Sequence, residues 1–187
     1  MVTINYSITF HGDWHCSSGL AAGAELDTLV IKDRRGLPYV PGKTIKGLFR
    51  EQAELLIKYM YPDFSEIFLS AMGEIVNADN IGMSGTMFFS NATFNEQTAS
   101  ELEKHNLSAL LYHTIASTKI DNEGVAEQHS LRSIQVVVPC TLYGTIENVP
   151  TEIVTLVEKG LQLIKRLGTH RHRGLGRCEF HIVNMED

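Results

Sequence analysis

The sequence contains few cysteines, and they follow no recognisable pairing pattern. Among its 187 residues there are three, Cys16, Cys140 and Cys178, and none belongs to a Cys-x-x-Cys pair. An odd and scattered set excludes a disulfide framework and the common zinc motifs. We therefore expect reduced thiols and a cytoplasmic protein.

Long hydrophobic runs are also missing. No stretch approaches the roughly 20 consecutive apolar residues that a membrane-spanning helix needs. The first residues, Met1 to Asn5, lack the charged and apolar regions of a secretory signal. We therefore expect neither secretion nor a membrane partner.

Positive charge is scarce overall but is unevenly distributed. The net charge is -6, whereas an autonomous nucleic-acid-binding domain is usually basic. Lysine and arginine concentrate in residues 32–50 and 165–177, and aspartate and glutamate in 51–103 and 147–158. The sequence thus predicts a locally basic face on an acidic protein.

What the sequence does contain is a series of strand and helix patterns. With 43% hydrophobic residues, the chain is long enough for one sizeable core. Alternation and β-rich composition predict strands at 2–10, 28–33, 85–94, 131–147 (with Pro139 marking a bulge or edge) and 177–185. Apolar positions at helical spacing predict helices at 43–60, 96–111 and 151–167, with a short helical stretch before 72 and Gly168 as a C-cap.

Without the insertions, these elements follow the order strand, helix, strand, strand, helix, strand. This order predicts an α+β fold, the ferredoxin-like (RRM-like) βαββαβ core. We expect a single domain over 1–187, with loop and helical insertions at about 11–41, 61–84 and 95–130. Proteins with this fold often bind single-stranded RNA.

The helix predicted from residue 43 begins with a row of cations. Lys43, Lys46 and Arg50 have i, i+3, i+7 spacing and share one face. Together with the helix N-terminus, such a row suits a ligand with phosphates. The alternative is a solvated helix face.

A glycine-rich, basic loop is predicted between the last helix and the last strand. Its candidate ligand-binding residues are His170, Arg171, Arg173, Gly174, Gly176 and Arg177. Glycines expose backbone N–H groups, and arginines form forked hydrogen bonds to phosphate oxygens. The alternative is that these cations complement the dipole of the preceding helix.

Three residues are candidates for chemistry. Asp27 either caps a turn or holds a hydrated divalent ion, since Mg²⁺ keeps several waters and binds through one or two carboxylates plus phosphates. His11 and His15 are candidate general bases. Asp13, His15 and Cys16 match no standard zinc spacing, so we predict no firm metal ligand.

Five segments follow one another along the chain as a recognisable set. They are Leu26 to Asp33, Gly36 to Arg50 (Gly-Leu-Pro-Tyr-Val-Pro-Gly-Lys-Thr-Ile-Lys-Gly-Leu-Phe-Arg), residues 85–92, residues 119–126 with 136–139, and Gly168 to Gly176. In this order they resemble the RAMP superfamily of CRISPR-associated proteins, most closely the repeating backbone subunit of type III effector complexes.

The resemblance implies a subunit that lines up in several copies along a CRISPR RNA beside other effector subunits. Complementary target RNA pairs with that guide, so base pairing reads the sequence and the protein recognises shape and phosphates. In the family, an Asp at the position of Asp27 supports metal-dependent cleavage of the target, with Mg or Mn as the divalent ion and none tightly bound. A hairpin here at 115–130 corresponds to a thumb that wedges between base pairs.

Two alternatives remain open at this stage. The first is a RAMP-type processing endoribonuclease that uses His11 or His15. The second is a structural subunit without catalysis.

Overall fold

The computed structural model of the chain describes residues 1–21, 27–73, 83–127 and 130–186. Its main element is a four-stranded antiparallel sheet in the order β2-β5-β1-β6. The strands are β1 (Val2–Phe10), β2 (Phe88–Phe89), β5 (Thr141–Val149) and β6 (Cys178–Glu186).

The sheet has ferredoxin-like connectivity, as predicted. Helix α1 (Gly42–Tyr59) lies between β1 and β2 in the chain, and helix α4 (Val154–Leu163) between β5 and β6. Because neighbouring strands are antiparallel, β1 and β2 run parallel with β5 between them, which makes two interleaved βαβ units.

Alternation along β1 explains how the sheet buries one face. Ile4, Tyr6, Ile8 and Phe10 are buried, and the polar residues between them point to the other side, as strand geometry requires. Tyr6 lies over Gly144 of β5, where a Cβ would be 2.4 Å from the tyrosine oxygen. The register between β1 and β5 is therefore specified by the large side chain of Tyr6 and the missing side chain of Gly144.

The two long helices pack on this buried face. α1 contributes Ile45, Phe49 and Ala53 to the core, at the spacing of one helical face. α4 approaches closely at Gly160, where a Cβ would lie 2.7 Å from the Phe49 ring. A side chain at position 160 would therefore push the helices apart.

The segment between β2 and β5 contains elements that do not join the main sheet. It contains α3 (Glu96–Lys104) and a hairpin of β3 (Tyr112–Ser117) and β4 (Arg132–Val137), which forms its own two-stranded sheet. α2 (Ser65–Met72) precedes β2 and follows α1 through a short 3₁₀ turn. The hairpin expected around 115–130 is present, with 128 and 129 outside the described residues.

Several predicted boundaries are wrong. Residues 28–33 form isolated bridges instead of a strand, and the strand expected at 85–94 is regular only at Phe88–Phe89. The strand expected at 131–147 is two strands in different sheets, because Pro139 has no N–H to continue a ladder. α3 ends at Lys104, and only a 3₁₀ turn at Ser108–Leu111 follows within the predicted helix.

The helix expected at 151–167 ends at Leu163, and Ile164 is its C-cap. Gly168 is therefore not a C-cap. It lies four residues beyond, with φ +99°, where a Cβ would be 2.4 Å from the carbonyl oxygen of His15. Among the described residues, no helix is long and apolar enough to cross a membrane.

Candidate functional site

Asp27 is held beside β4, near the end of the β3–β4 ladder where the connecting segment joins the two strands. Its backbone N–H donates to the carbonyl of Ser133 over 2.9 Å, and its Oδ2 accepts from the Ser133 N–H over 2.7 Å. Thr28 forms a parallel bridge to Ile134. Both the backbone and the side chain of Asp27 are thus fixed to β4, while the residue stays exposed.

A cavity of about 520 Å³ brings Asp27 together with the glycine-rich loop. One wall is the hairpin, and the other is formed by His170, Arg173 and Leu175 of the loop. Residues about 145 positions apart in sequence therefore line one space, in which an anionic ligand would meet Arg173 and a carboxylate together. We call this space the Asp27 cavity.

The glycine-rich loop is a short 3₁₀ turn, Arg171–Arg173, between two left-handed residues. His170 has φ 56° and Gly174 has φ 94°. The turn is anchored at its start, because the Thr169 N–H donates to the His15 carbonyl over 2.9 Å. The arginines are therefore presented on a turn that is tied to the loop after β1.

The glycines of this loop differ in their surroundings. Gly174 is exposed, and a Cβ there would meet nothing within 4 Å. Gly176 is buried with φ +71°, and a Cβ would lie 1.9 Å from the Leu167 carbonyl oxygen. Of the two predicted ligand-binding glycines, only Gly174 is exposed to a ligand, whereas Gly176 allows close backbone packing.

A second groove joins the loop to the start of α1. It has a volume of about 380 Å³, and its lining includes Lys43 and Thr44 from the helix with Thr169 and Arg171 from the loop. Lys43 and Arg171, predicted separately, therefore face one space, which we call the Lys43 groove.

The other two cations of the predicted α1 row have protein partners. Arg50 donates to the carbonyls of Met72 and Gly73 over 3.0 and 2.8 Å, with only 15% of its side chain exposed. Lys46 reaches the Met87 carbonyl over 3.4 Å. Burial, and secondarily the Arg50 charge, lower the pKa of Lys46. Both side chains thus connect α1 to the segments around α2 and β2.

His15 lies in the core with no exposed surface. Its Nδ1 is 2.5 Å from the Gln135 carbonyl, an acceptor only, so Nδ1 carries the proton. Burial lowers the pKa of His15 by more than the hydrogen bond to the Gln135 carbonyl raises it, and the charge of His170 lowers it further. A neutral, enclosed imidazole does not reach a 2′-hydroxyl in this conformation, so the geometry gives no support to His15 as a general base.

His11 remains at the surface, in a pocket of about 410 Å³ that also contains Arg177. Its Nε2 lies 3.6 Å from Oε2 of Glu179. Arg177 therefore lines a different space from Arg171 and Arg173, although all three belong to one sequence motif.

The cysteines are unpaired and protected from solvent to different degrees. Cys16 and Cys178 are buried and Cys140 is partly buried. Burial raises the pKa of Cys16 and of Cys178 to about 12, and that of Cys140 to about 11. Reactive thiolates have lowered pKa values, so none of the three has the character of a nucleophile.

Sequence reasoning missed the hairpin side of the Asp27 cavity, namely Ser117 and Arg132. Both positions lay in segments predicted as loop or strand, but no local signal indicated that Arg132 pairs opposite Ser117 beside Asp27. It also missed that Asn91 caps α1, accepting from the Gly42 N–H over 2.9 Å. Asn commonly caps a helix from the position just before it. Asn91 is 49 residues from Gly42 in sequence, so no local pattern predicts this contact.

The donor set of the Asp27 cavity fits only a weakly held metal ion. Within the described ranges, no three His, Cys, Asp or Glu side chains are grouped to hold one. Asp27 offers one oxygen that is not used by Ser133, which suits a hydrated Mg²⁺ or Mn²⁺ shared with a phosphate. A closed, preformed metal site is not compatible with this arrangement.

Comparison with known proteins gives two results for the fold and one for the family. No curated protein sequence matches the chain significantly. A chain in the cryo-EM structure of type III-B Cmr-beta bound to cognate target RNA is 12% identical, covers 96% of each chain and has a TM-score of 0.69. A chain of the Cmr-beta apo state is 14% identical, covers 97% of each chain and has a TM-score of 0.68.

These solved chains share the fold of this protein. The family model of the RAMP superfamily matches residues 7–179, which include α1, the Asp27 cavity and the glycine-rich loop. This range covers nearly all of the sequence and confirms the identification made from its motifs. The chain belongs to the RAMP superfamily.

Proposed function

We propose that this protein is a CRISPR RNA-binding backbone subunit of a type III-like RNA-guided complex, and that Asp27 supports cleavage of target RNA. The observation that carries the proposal is the Asp27 cavity, in which a fixed, exposed carboxylate faces His170 and Arg173 of the glycine-rich loop. Cations hold phosphates, and a nearby carboxylate supplies the group that phosphodiester cleavage needs.

RNA binding is assigned first to the cations that face open space. Lys43 and Arg171 line the Lys43 groove, and Arg173 and His170 line the Asp27 cavity. These contacts recognise phosphates and carry no sequence information, so guide–target base pairing selects the target. The Lys46 and Arg50 contacts predicted from sequence receive no support, because both side chains bind protein carbonyls.

The proposed cleavage is attack of an RNA 2′-hydroxyl, which gives its proton to water, on the adjacent phosphate. The attack forms a 2′,3′-cyclic phosphate and breaks the bond to the 5′-oxygen of the next nucleotide, which takes up a proton from water and leaves as a hydroxyl group. The Asp27 oxygen not bonded to Ser133 orients the reacting group, and Arg173 stabilises charge on the phosphate oxygens. Asp27 would hold a divalent ion through that oxygen, and the ion would polarise the phosphate as a Lewis acid. Because β4 fixes Asp27, no rearrangement of its backbone is needed for this role.

The partners follow from the same proposal. They are CRISPR RNA, complementary target RNA, further copies of the chain and other effector subunits, assembled in the cytoplasm. One of the solved chains with this fold comes from Cmr-beta bound to cognate target RNA. Exposed Ile120 and Val125 near the hairpin tip supply apolar groups for the proposed wedging between base pairs.

The test is cleavage by a complex co-expressed with a CRISPR array transcript and neighbouring gene products. Asp27→Asn retains an acceptor for the Ser133 N–H but removes the charge, so we expect RNA binding to persist and metal-dependent cleavage to fall at least about a hundredfold. Asp121→Asn is the matched control, because Asp121 also caps backbone N–H groups on the hairpin but lies outside the cavity.

Three other outcomes separate the alternatives. Tight RNA binding with no cleavage under any metal identifies a structural subunit. Undiminished cleavage by Asp27→Asn rejects the catalytic role of Asp27. Absence of RNA from the purified complex rejects the backbone-subunit proposal.

A second candidate function, processing of CRISPR RNA, is favoured by the surroundings of His11. Its imidazole is exposed beside Glu179 and near Arg177, an arrangement suited to deprotonating a 2′-hydroxyl next to a held phosphate. This candidate predicts cleavage that persists in EDTA and is lost in His11→Ala. Cleavage that requires metal and is insensitive to His11→Ala rejects it.

A further inference from the structure

The pocket beside His11 contains a concentration of cations with little compensation. Its lining is His11, Lys165, Arg166, Arg177, Cys178 and Glu179, and we call it the edge pocket because it opens where the edge strand β6 begins. It shares no lining residue with the Asp27 cavity or the Lys43 groove.

Backbone hydrogen bonds hold three chain segments together around this pocket. The Leu167 N–H donates to Gly176 over 2.9 Å, the Cys178 N–H to Lys165 over 3.0 Å, and the His11 N–H to Arg177 over 2.9 Å. The pocket is therefore built on the same backbone framework that closes the core sheet, and its cations are not carried on a free loop.

Arg166 and Arg177 form an antiparallel bridge. Directly opposite residues in such a pair place their side chains on the same face, and like charges there are destabilising. In the part of the chain that the structure describes, no carboxylate lies within 4.0 Å of Lys165, Arg166 or Arg177. No carboxylate in this part of the protein therefore offsets these positive charges.

The one acid in the pocket already has other partners. Oε2 of Glu179 lies 3.6 Å from His11 and 3.5 Å from His181. It therefore faces two imidazoles and leaves the lysine and the arginines without a carboxylate partner. An incoming anion would supply the missing negative charge.

Arg166 links the edge pocket to the loop of the Lys43 groove. Its Nη1 donates to the Arg171 carbonyl over 2.7 Å, while Arg171 itself lines the groove. A strand of RNA that passes Arg171 would consequently find the edge pocket nearby.

We propose that the edge pocket is a phosphate subsite that holds an RNA backbone phosphate through Lys165 and Arg177, separately from the Lys43 groove and the Asp27 cavity. The identity of the ligand rests on the proposed function, whereas the pocket itself rests on the geometry above. The subsite needs no cleavage chemistry and binds any single-stranded RNA irrespective of sequence.

The experiment measures fluorescence anisotropy of a labelled oligouridine RNA with the full chain at several potassium chloride concentrations. The slope of log affinity against log salt falls by about 0.7 for each lost phosphate contact on single strands. We expect that loss for the double variant Lys165→Gln with Arg177→Gln, which removes both cations from the one phosphate, and a smaller loss for Lys165→Gln alone. Lys104→Gln, an exposed lysine on α3, is the control and leaves the slope unchanged.

A second measurement tests the phosphate subsite independently of RNA binding. Inorganic pyrophosphate is titrated while backbone amide NMR signals of residues 165, 166 and 177 are followed in the wild type and in Lys165→Gln. If the wild type binds no RNA but pyrophosphate shifts these signals, the subsite stands and the proposed function fails. If RNA binds with the same slope in wild type and variants, the subsite is rejected and the function stands. If the wild type neither binds RNA nor shows shifted signals with pyrophosphate, both the subsite and the proposed function are rejected.

Discussion

Two basic segments, α1 and the glycine-rich loop, look alike in sequence but use their charges differently. In α1, Arg50 binds the carbonyls of Met72 and Gly73, and Lys46 approaches that of Met87. In the loop, Arg171 and Arg173 line open spaces. The helix turns two of the three cations in its predicted row toward the protein, whereas the loop presents Arg171 and Arg173 to open space.

Most glycines of the loop contact the protein, whereas the ligand-binding interpretation predicts that they face a ligand. Gly176 and Gly168 face protein carbonyls, and Gly174 faces solvent. A glycine-rich motif therefore does two things here, since two glycines let the backbone pack and one leaves the turn uncovered. Residue type alone does not separate these roles, because the difference lies in what each Cβ would meet.

The largest effect that tests this comparison is expected within the loop. Gly176→Ala places a Cβ 1.9 Å from the Leu167 carbonyl oxygen at φ +71°, so we expect the free energy of unfolding to fall by about 3–5 kcal/mol. Gly174→Ala also has positive φ but meets nothing within 4 Å, so the expected loss is about 1–2 kcal/mol. Urea denaturation of both variants measures the difference, and equal losses would contradict the packing role of Gly176.

In α1 we expect one variant to lose stability and another to lose RNA affinity, both by smaller amounts. Arg50→Ala removes two hydrogen bonds from a mostly buried guanidinium, so we expect about 2–4 kcal/mol lower stability. RNA affinity of the folded fraction should not change. Lys43→Gln, at an exposed position, should change stability by less than about 0.5 kcal/mol but weaken RNA binding.

This pair is measured by chemical denaturation and by RNA titration on the same preparations. A loss of RNA affinity in Arg50→Ala equal to that in Lys43→Gln would restore the row of three RNA-binding cations predicted from sequence.

The smallest effect concerns His15, whose carbonyl anchors the loop through Thr169. Burial lowers its pKa from 6.5, so below pH 6.5 the unfolded chain binds a proton that the folded chain does not. Stability is fully present above that pH and falls as pH decreases, by up to about 1.4 kcal/mol per pH unit for one group. Denaturation at a series of pH values should show this slope in the wild type and its loss in His15→Gln. A slope that survives in the variant assigns the effect to another group.

Much of the core fold was predictable because its signals are local and periodic. The alternation of β1, the apolar face of α1 and the last strand were placed within a few residues of their observed bounds. Where the pattern was continuous but the structure was not, the prediction failed. Residues 131–147 look like one strand, yet Pro139 separates two strands that pair in different sheets.

The candidate site was predictable only as separate parts. Asp27, Lys43 and the loop arginines were identified by residue type and by resemblance to a family. Which cation lines which cavity could not be predicted from the sequence. Arg171 and Arg177 are only six positions apart, yet they line different pockets. Likewise, His11 and His15 were equal candidates in sequence, but one is exposed and the other is enclosed.

The sequence by itself determined the family, the βαββαβ order and the presence of an acidic residue and two basic segments, since these depend on composition, spacing and local pattern. Only the tertiary structure decided that Asp27 meets Arg173 across a cavity, that Arg50 holds α2, and that the edge pocket gathers Lys165, Arg166 and Arg177. The physical reason is that the role of a charged side chain depends on its nearest partner and its exposure, and both are set by segments distant in the chain.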